Sequence, residues 1–99
     1  MPKIGIIVEF HMEPANHAAF HAIISEHARL TKQEEPGCVS FDVLQPQTKD
    51  GPDLSRVMLV EIYADPAAFD AHGKNPRLAK VRDSYSSLIT KRTLTVCHM

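Results

Sequence analysis

Between Lys3 and Met12 apolar residues occupy every second position. Ile4, Ile6, Val8, Phe10 and Met12 share one face, and Gly5, Ile7, Glu9 and His11 share the other. Alternation at period two predicts a strand with one face fully buried and the other partly so. The period then changes. Glu13-Pro14-Ala15-Asn16 reads as a turn and helix start, with Asn16 as the cap. From Asn16 to Lys32, Phe20, Ile23, Ile24, His27, Leu30 and Thr31 recur at helical spacing, with Glu26, Arg29 and Lys32 opposite them. Glu35-Pro36-Gly37 ends that helix, because a residue before proline avoids the helical region and glycine permits a sharp reversal.

Two further strands follow. In the first, Val39, Phe41 and Val43 alternate with Ser40, Asp42 and Leu44. The second places Val57, Leu59, Glu61 and Tyr63 on one face and Met58, Val60 and Ile62 on the other. The segment between them, Pro46 to Arg56, is rich in turn residues, which predicts a loop and an antiparallel hairpin. Asp65-Pro66 opens a second helix, with Asp as cap and Pro in the first turn. Gly73 and Pro76 interrupt it, and a further helix is predicted from about Pro76 to Tyr85. Ser87 to His98 sets Arg92, Leu94 and Val96 against Lys91, Thr93, Thr95 and Cys97, a fourth strand rich in β-branched residues. The order βαββαβ is the ferredoxin-like unit, an α+β fold with an antiparallel sheet and its helices on one face. The third strand is apolar on both faces and Ile7 adds to its outer side, so a homodimer packed sheet to sheet is expected.

Composition narrows the classes. A length of 99 residues predicts a single domain, 1–99. With 43% hydrophobic residues and a net charge of −1, the chain is predicted to be ordered. Eleven basic against twelve acidic residues argue against a nucleic-acid or membrane binder. No apolar run approaches the length of a membrane helix. Met-Pro-Lys leads straight into a strand pattern rather than a signal peptide, so a cytoplasmic location is expected. Cys38 and Cys97 lack any CxxC spacing and read as small buried residues rather than a disulfide.

Six histidines make the candidate chemistry. His17 and His21 lie four apart on the first helix, but no third ligand accompanies them, so they read as a polar edge rather than a metal site. His27 falls within the apolar stripe of that helix and should face the sheet, as a bonded core histidine or a pocket base. Glu61 stands in an apolar strand, where burial would raise its pKa unless it is paired. His72 borders the same region if Phe69 points at the sheet. Gly-rich phosphate loops, a G-x-S-x-G elbow and a basic, aromatic RNA-binding strand are all absent from the sequence.

Two stretches resemble a known family. Glu35-Pro36-Gly37-Cys38-Val39-Ser40-Phe41-Asp42-Val43-Leu44 resembles the start of strand two in antibiotic biosynthesis monooxygenase domains. Val60-Glu61-Ile62-Tyr63-Ala64-Asp65-Pro66-Ala67-Ala68-Phe69-Asp70-Ala71-His72 resembles their second signature. The resemblance implies a dimeric α+β barrel with a pocket between sheet and helices. It implies cofactor-independent oxygenation of a quinol-like or polyketide phenol by O2, with no metal. Carried over by position, His72 would be the base or a hydrogen-bond donor to the substrate oxygen. Tyr63 would orient the ring and Glu61 would polarise one of the two. Phe41 would form a pocket wall; with His27 and Phe69 from the helix-face reading it would bind the small aromatic substrate, and Arg77 could bind an anionic one. Haem-degrading members of the superfamily rely on a Trp, and this chain has none, which disfavours haem. The strand-two wording also resembles a phospho-autoinducer-2 isomerase branch. His72 and Pro76 match that branch, but Arg77 stands where its second His would be, and Ala28 and Arg29 stand at its Asn-His pair. A sugar-phosphate enzyme of that kind would need Arg77 or Lys80 in the pocket. A non-enzymatic ligand-binding dimer would show Glu61 paired off and the cavity filled.

Overall fold

The structure, a computed structural model, describes residues 2–99. Strand β1 (Ile4–His11) is followed by a short 3-10 turn at Pro14–Asn16 and helix α1 (His17–Glu34). Strand β2 (Cys38–Leu44), a two-strand ribbon of β3 (Gln47–Thr48) and β4 (Gly51–Pro52), and strand β5 (Arg56–Tyr63) come next. Helices α2 (Pro66–Gly73) and α3 (Pro76–Tyr85) and strand β6 (Lys91–His98) complete the chain. The main sheet has the order β2-β5-β1-β6, and every adjacent pair in it is antiparallel. This is the ferredoxin-like arrangement that the element order predicts. The sheet is open, so a single chain closes no barrel.

Alternation along the strands decides which side chains meet the helices. Ile4, Ile6, Val8 and Phe10 of β1 and Val57, Leu59, Glu61 and Tyr63 of β5 are buried on the helix side. Phe20, Ile24, His27, Ala28 and Thr31 of α1 come down onto them. Fully burying a large apolar side chain contributes about 1.5–3 kcal/mol, so these rows are what hold the layers together. Phe10, Phe20 and Tyr85 form one aromatic cluster, with ring centroids 4.7 to 5.4 Å apart. Among the described residues no helix covers the other face, where Ile7 is 42% exposed and Met58, Val60 and Ile62 are half-buried.

Local chemistry sets the helix ends. Asp65 caps α2 by accepting from the Ala68 N–H at 2.8 Å, as expected, and Asn75 caps α3 by accepting from the Arg77 N–H at 2.9 Å. Asn16 differs from expectation. Its side chain makes no cap bond and instead donates to the Leu88 carbonyl at 3.3 Å, tying α1 to the segment before β6. Helix α1 also runs on to Glu34, closer to Pro36 than its apolar stripe suggests. The loop between β2 and β5 contains the small ribbon, pinned where the Gln45 amide donates to the Pro46 and Asp53 carbonyls. Gly37 lies against α2, and a Cβ there would fall on that of Ala68, well inside contact distance. Among the described residues no helix is long and apolar enough to cross a membrane.

Candidate functional site

The register of the sheet builds the floor of a cavity. Glu61 pairs with Ile6 on one side and Phe41 on the other, so its carboxyl rises between two apolar side chains under the helices. The roof comes from Ile24 and His27 of α1, Phe69 and His72 of α2, and Leu78 and Val81 of α3. The space between is about 100 Å³. Its exposed rim is formed by Gly73, Arg82, Arg92 and Leu94. Glu61 and His72 are 5% and 6% exposed, so the polar groups inside are almost wholly withdrawn from bulk water.

His72 is held at a fixed angle. Its Nδ1 lies 2.8 Å from Glu35 Oε1. A carboxylate that also accepts from an arginine can only accept here, so Nδ1 carries the proton. The Arg77 Nη2 donates to the other oxygen, Glu35 Oε2, at 2.7 Å. In the neutral ring the lone pair therefore sits on Nε2, and Nε2 stands 3.9 Å from Glu61 Oε1. That gap is too long for a direct hydrogen bond and suits a shared third group. Tyr63 donates to Glu61 Oε1 at 2.7 Å. Burial raises the Glu61 pKa, and the Tyr63 hydrogen bond and the nearby His72 only partly offset this. Burial and the adjoining Glu61 carboxyl push the Tyr63 phenol far above its ordinary value, so it acts as a donor and not as a base.

His27 is neutral for a different reason. Arg77 Nη1 donates to His27 Nδ1 at 2.9 Å and to Thr31 Oγ1 at 3.0 Å. A histidine nitrogen that accepts from a guanidinium carries no proton, so the hydrogen of this ring is on Nε2. Desolvation, reinforced by the positive charge of Arg77, lowers its pKa to about 4. Its ring meets Phe41 edge-on at 5.5 Å and lies 5.8 Å from that of His72.

Of the residues singled out in the sequence, His72, Glu61, His27, Phe41 and Phe69 all line one cavity. Tyr63 stands behind Glu61 rather than in the lining, so its hydroxyl is committed to the carboxyl and not to a bound ring. Arg77 is a correction. It does not line the cavity, because Glu35, His27 and Thr31 take up its guanidinium. Lys80 is exposed on α3 and absent from the lining. Glu35 is the residue the sequence reading missed. Glu35-Pro36-Gly37 reads as a chain reversal, and that role concealed a carboxylate facing His72 across 37 positions of sequence. The signal was present, since an acidic residue opens the first family-like stretch. His17 and His21 stack at 5.7 Å beside Gln45, and among the described residues no three metal-ligating side chains cluster. Cys38 and Cys97 are free, and burial pushes the Cys38 thiol up to about 11, which leaves it a poor nucleophile.

Comparison with known proteins bears on the fold and the family. Residues 3–84 match the family model of antibiotic biosynthesis monooxygenase. Among solved structures, a conserved protein of Bacteroides thetaiotaomicron superposes with a TM-score of 0.88 at 17% identity, covering 99% of this chain and 98% of the other. A Caulobacter crescentus protein, provisionally assigned as an antibiotic biosynthesis monooxygenase, gives 0.88 at 20% identity, with 99% and 90% covered. Rv0793 of Mycobacterium tuberculosis gives 0.80 at 26% identity, with 96% and 92% covered. Among curated proteins none matches the chain in sequence.

Proposed function

The chain belongs to the antibiotic biosynthesis monooxygenase family, and from that premise we propose that it is a cofactor-independent monooxygenase acting on a quinol-like phenol. The observation that carries this reading is the meeting of His72 Nε2 and Glu61 at the closed end of an apolar cavity, with His72 oriented from behind by Glu35. Size favours a single ring over a polycyclic substrate. A cavity of roughly 150 Å³ takes up benzene, and this one is about 100 Å³.

The chemistry follows from the groups present. A phenolic O–H placed between His72 and Glu61 loses its proton to His72 Nε2, and the Glu35 carboxylate stabilises the imidazolium that forms. The quinolate is electron-rich enough to pass an electron to O2. Superoxide and the ring radical then combine at a ring carbon. Loss of the proton from that carbon and cleavage of the O–O bond leave one oxygen on the ring and release the other as water. A quinol and O2 thus become a hydroxyquinone and water, with the ring supplying all four electrons. Glu61, its pKa raised by burial, is suited to hold the proton that the leaving oxygen needs. The apolar walls exclude bulk water from the intermediates. The active form is a homodimer joined through the open sheet face, supported by the apolar residues exposed there.

Oxygen uptake by the metal-free protein with a panel of quinols, beside His72→Ala, tests the reading. The expected result is uptake above the blank that falls at least tenfold in the variant while its hydrodynamic size is unchanged. An unchanged rate would remove His72 from the mechanism, and no uptake with any phenol would end the monooxygenase reading.

A further inference from the structure

The chain has five arginines. Arg29 is paired with Glu26, Arg56 with Glu9 and Arg77 with Glu35. Among the described residues Arg82 and Arg92 alone of the five have no side-chain hydrogen bond or ion pair, and both border the cavity. They arrive from different elements. Arg82 comes from α3, and Arg92 is the second residue of the edge strand β6. Two unpaired arginines at the mouth of a mostly apolar pocket offer positive charge, in a geometry guanidinium is suited to, to a planar anion.

Size and placement define what would fill it. A cavity of about 100 Å³ leaves room for no more than one ring, so a substituent on a ring seated there would be directed outward to the rim. The interior already contains the groups that would receive a hydroxyl, and none of them offers a fixed positive charge to an anion, because Arg77 is consumed by Glu35. We infer that the substrate is a hydroxylated single-ring aromatic with an anionic arm, recognised at the rim by Arg82 and Arg92 while its phenolic hydroxyl lies between His72 and Glu61. The inference rests on the cavity being the substrate site proposed above. It adds that the site selects by charge at its mouth and by hydroxyl at its base.

Titration calorimetry with 2,5-dihydroxybenzoate and with its methyl ester tests this. The two probes share the quinol ring and differ in the charge of one arm. The wild-type chain is expected to bind the acid at least tenfold more tightly than the ester. In the double variant Arg82→Gln, Arg92→Gln the ratio of the two affinities is expected to collapse to within twofold. Both residues are exposed and unpaired, so circular dichroism should show the variant folded; should it not, each single substitution is read for a partial loss of the ratio. Equal binding of acid and ester by the wild type, binding of neither, or a preference for the acid that survives in the variant overturns the inference. Oxygen uptake with the ester, measured on the wild-type chain, separates this outcome from the reading it rests on. Uptake without charge discrimination defeats the rim recognition alone. Charge discrimination that maps to the two arginines, with no uptake from either probe, defeats the monooxygenase chemistry and leaves an anion-selective site.

Discussion

His27 shows how one buried ring couples the site to stability. Folding places it on the buried face of α1 with an arginine on its Nδ1, so the folded ring binds a proton only near pH 4, while the unfolded ring does so near 6.5. Between those values the unfolded state binds more protons, and acid therefore favours unfolding. Glu61 has the opposite sign, because its raised pKa lets the folded state bind a proton before the unfolded one does. The expected outcome is that wild-type unfolding free energy, compared with that of His27→Gln, declines from pH 6.5 to about 4 by on the order of 3 kcal/mol. Denaturant melts across that range read it, and parallel profiles for the two proteins would contradict it. Residue by residue, the sequence was informative where a polar group broke an apolar pattern, as with Glu61 in β5 and His27 in α1. It was silent on Glu35, Arg82 and Arg92, which sit where charge is ordinary: beside a turn, on a short helix and near the start of an edge strand.

At the level of elements, the strands were legible because period two leaves a face assignment with little freedom, except at the start of β2, where a register shift between Cys38 and Ser40 leaves Val39 exposed although alternation sets it beside Phe41. Helix ends were less so. Asn16 has the composition of a cap but spends its side chain on Leu88, a contact across 72 positions that no local pattern encodes. The ribbon inside the hairpin loop was equally hidden, since Gln47–Thr48 and Gly51–Pro52 lack strand composition. Helix α2 is the element on which the site depends most. It is eight residues long, carries His72 and Phe69, and is seated against the backbone of Gly37, whose carbonyl accepts from the Ala64 N–H at 2.8 Å. Gly37→Val therefore lifts α2 from its seat. Overpacking of this kind costs about 1–3 kcal/mol, and quinol oxidation is expected to fall with it, more than tenfold if His72 Nδ1 loses Glu35. Thermal melts and oxygen uptake together check this, and wild-type values in both would show that α2 does not need the close approach.

For the whole molecule, the ferredoxin-like order follows from element order, while the cavity could not be read from it, because seven separate elements line it over one strand register. The open face is the second large-scale feature. Ile7 lies next to Val60 across the β1–β5 pair, with Met58 and Ile62 on the same side of β5. Ile7→Lys sets a charge in the middle of that surface. The wild-type chain is expected to sediment as a dimer and the variant as a monomer, and analytical ultracentrifugation distinguishes them; a monomeric wild type would remove the proposed dimer.

The arginines also divide the molecule by how it senses ionic strength. The side chains of Arg77 and Glu35 are only 17% and 13% exposed and largely shielded from mobile ions, whereas Arg82 and Arg92 stand in solvent. At physiological salt the screening length is about 8 Å, short enough to mute an exposed charge and of little effect on a buried pair. Rising salt would then loosen the capture of an anionic ligand while leaving the alignment of His72 intact. The encounter with substrate and the geometry of the reaction would answer to different properties of the medium.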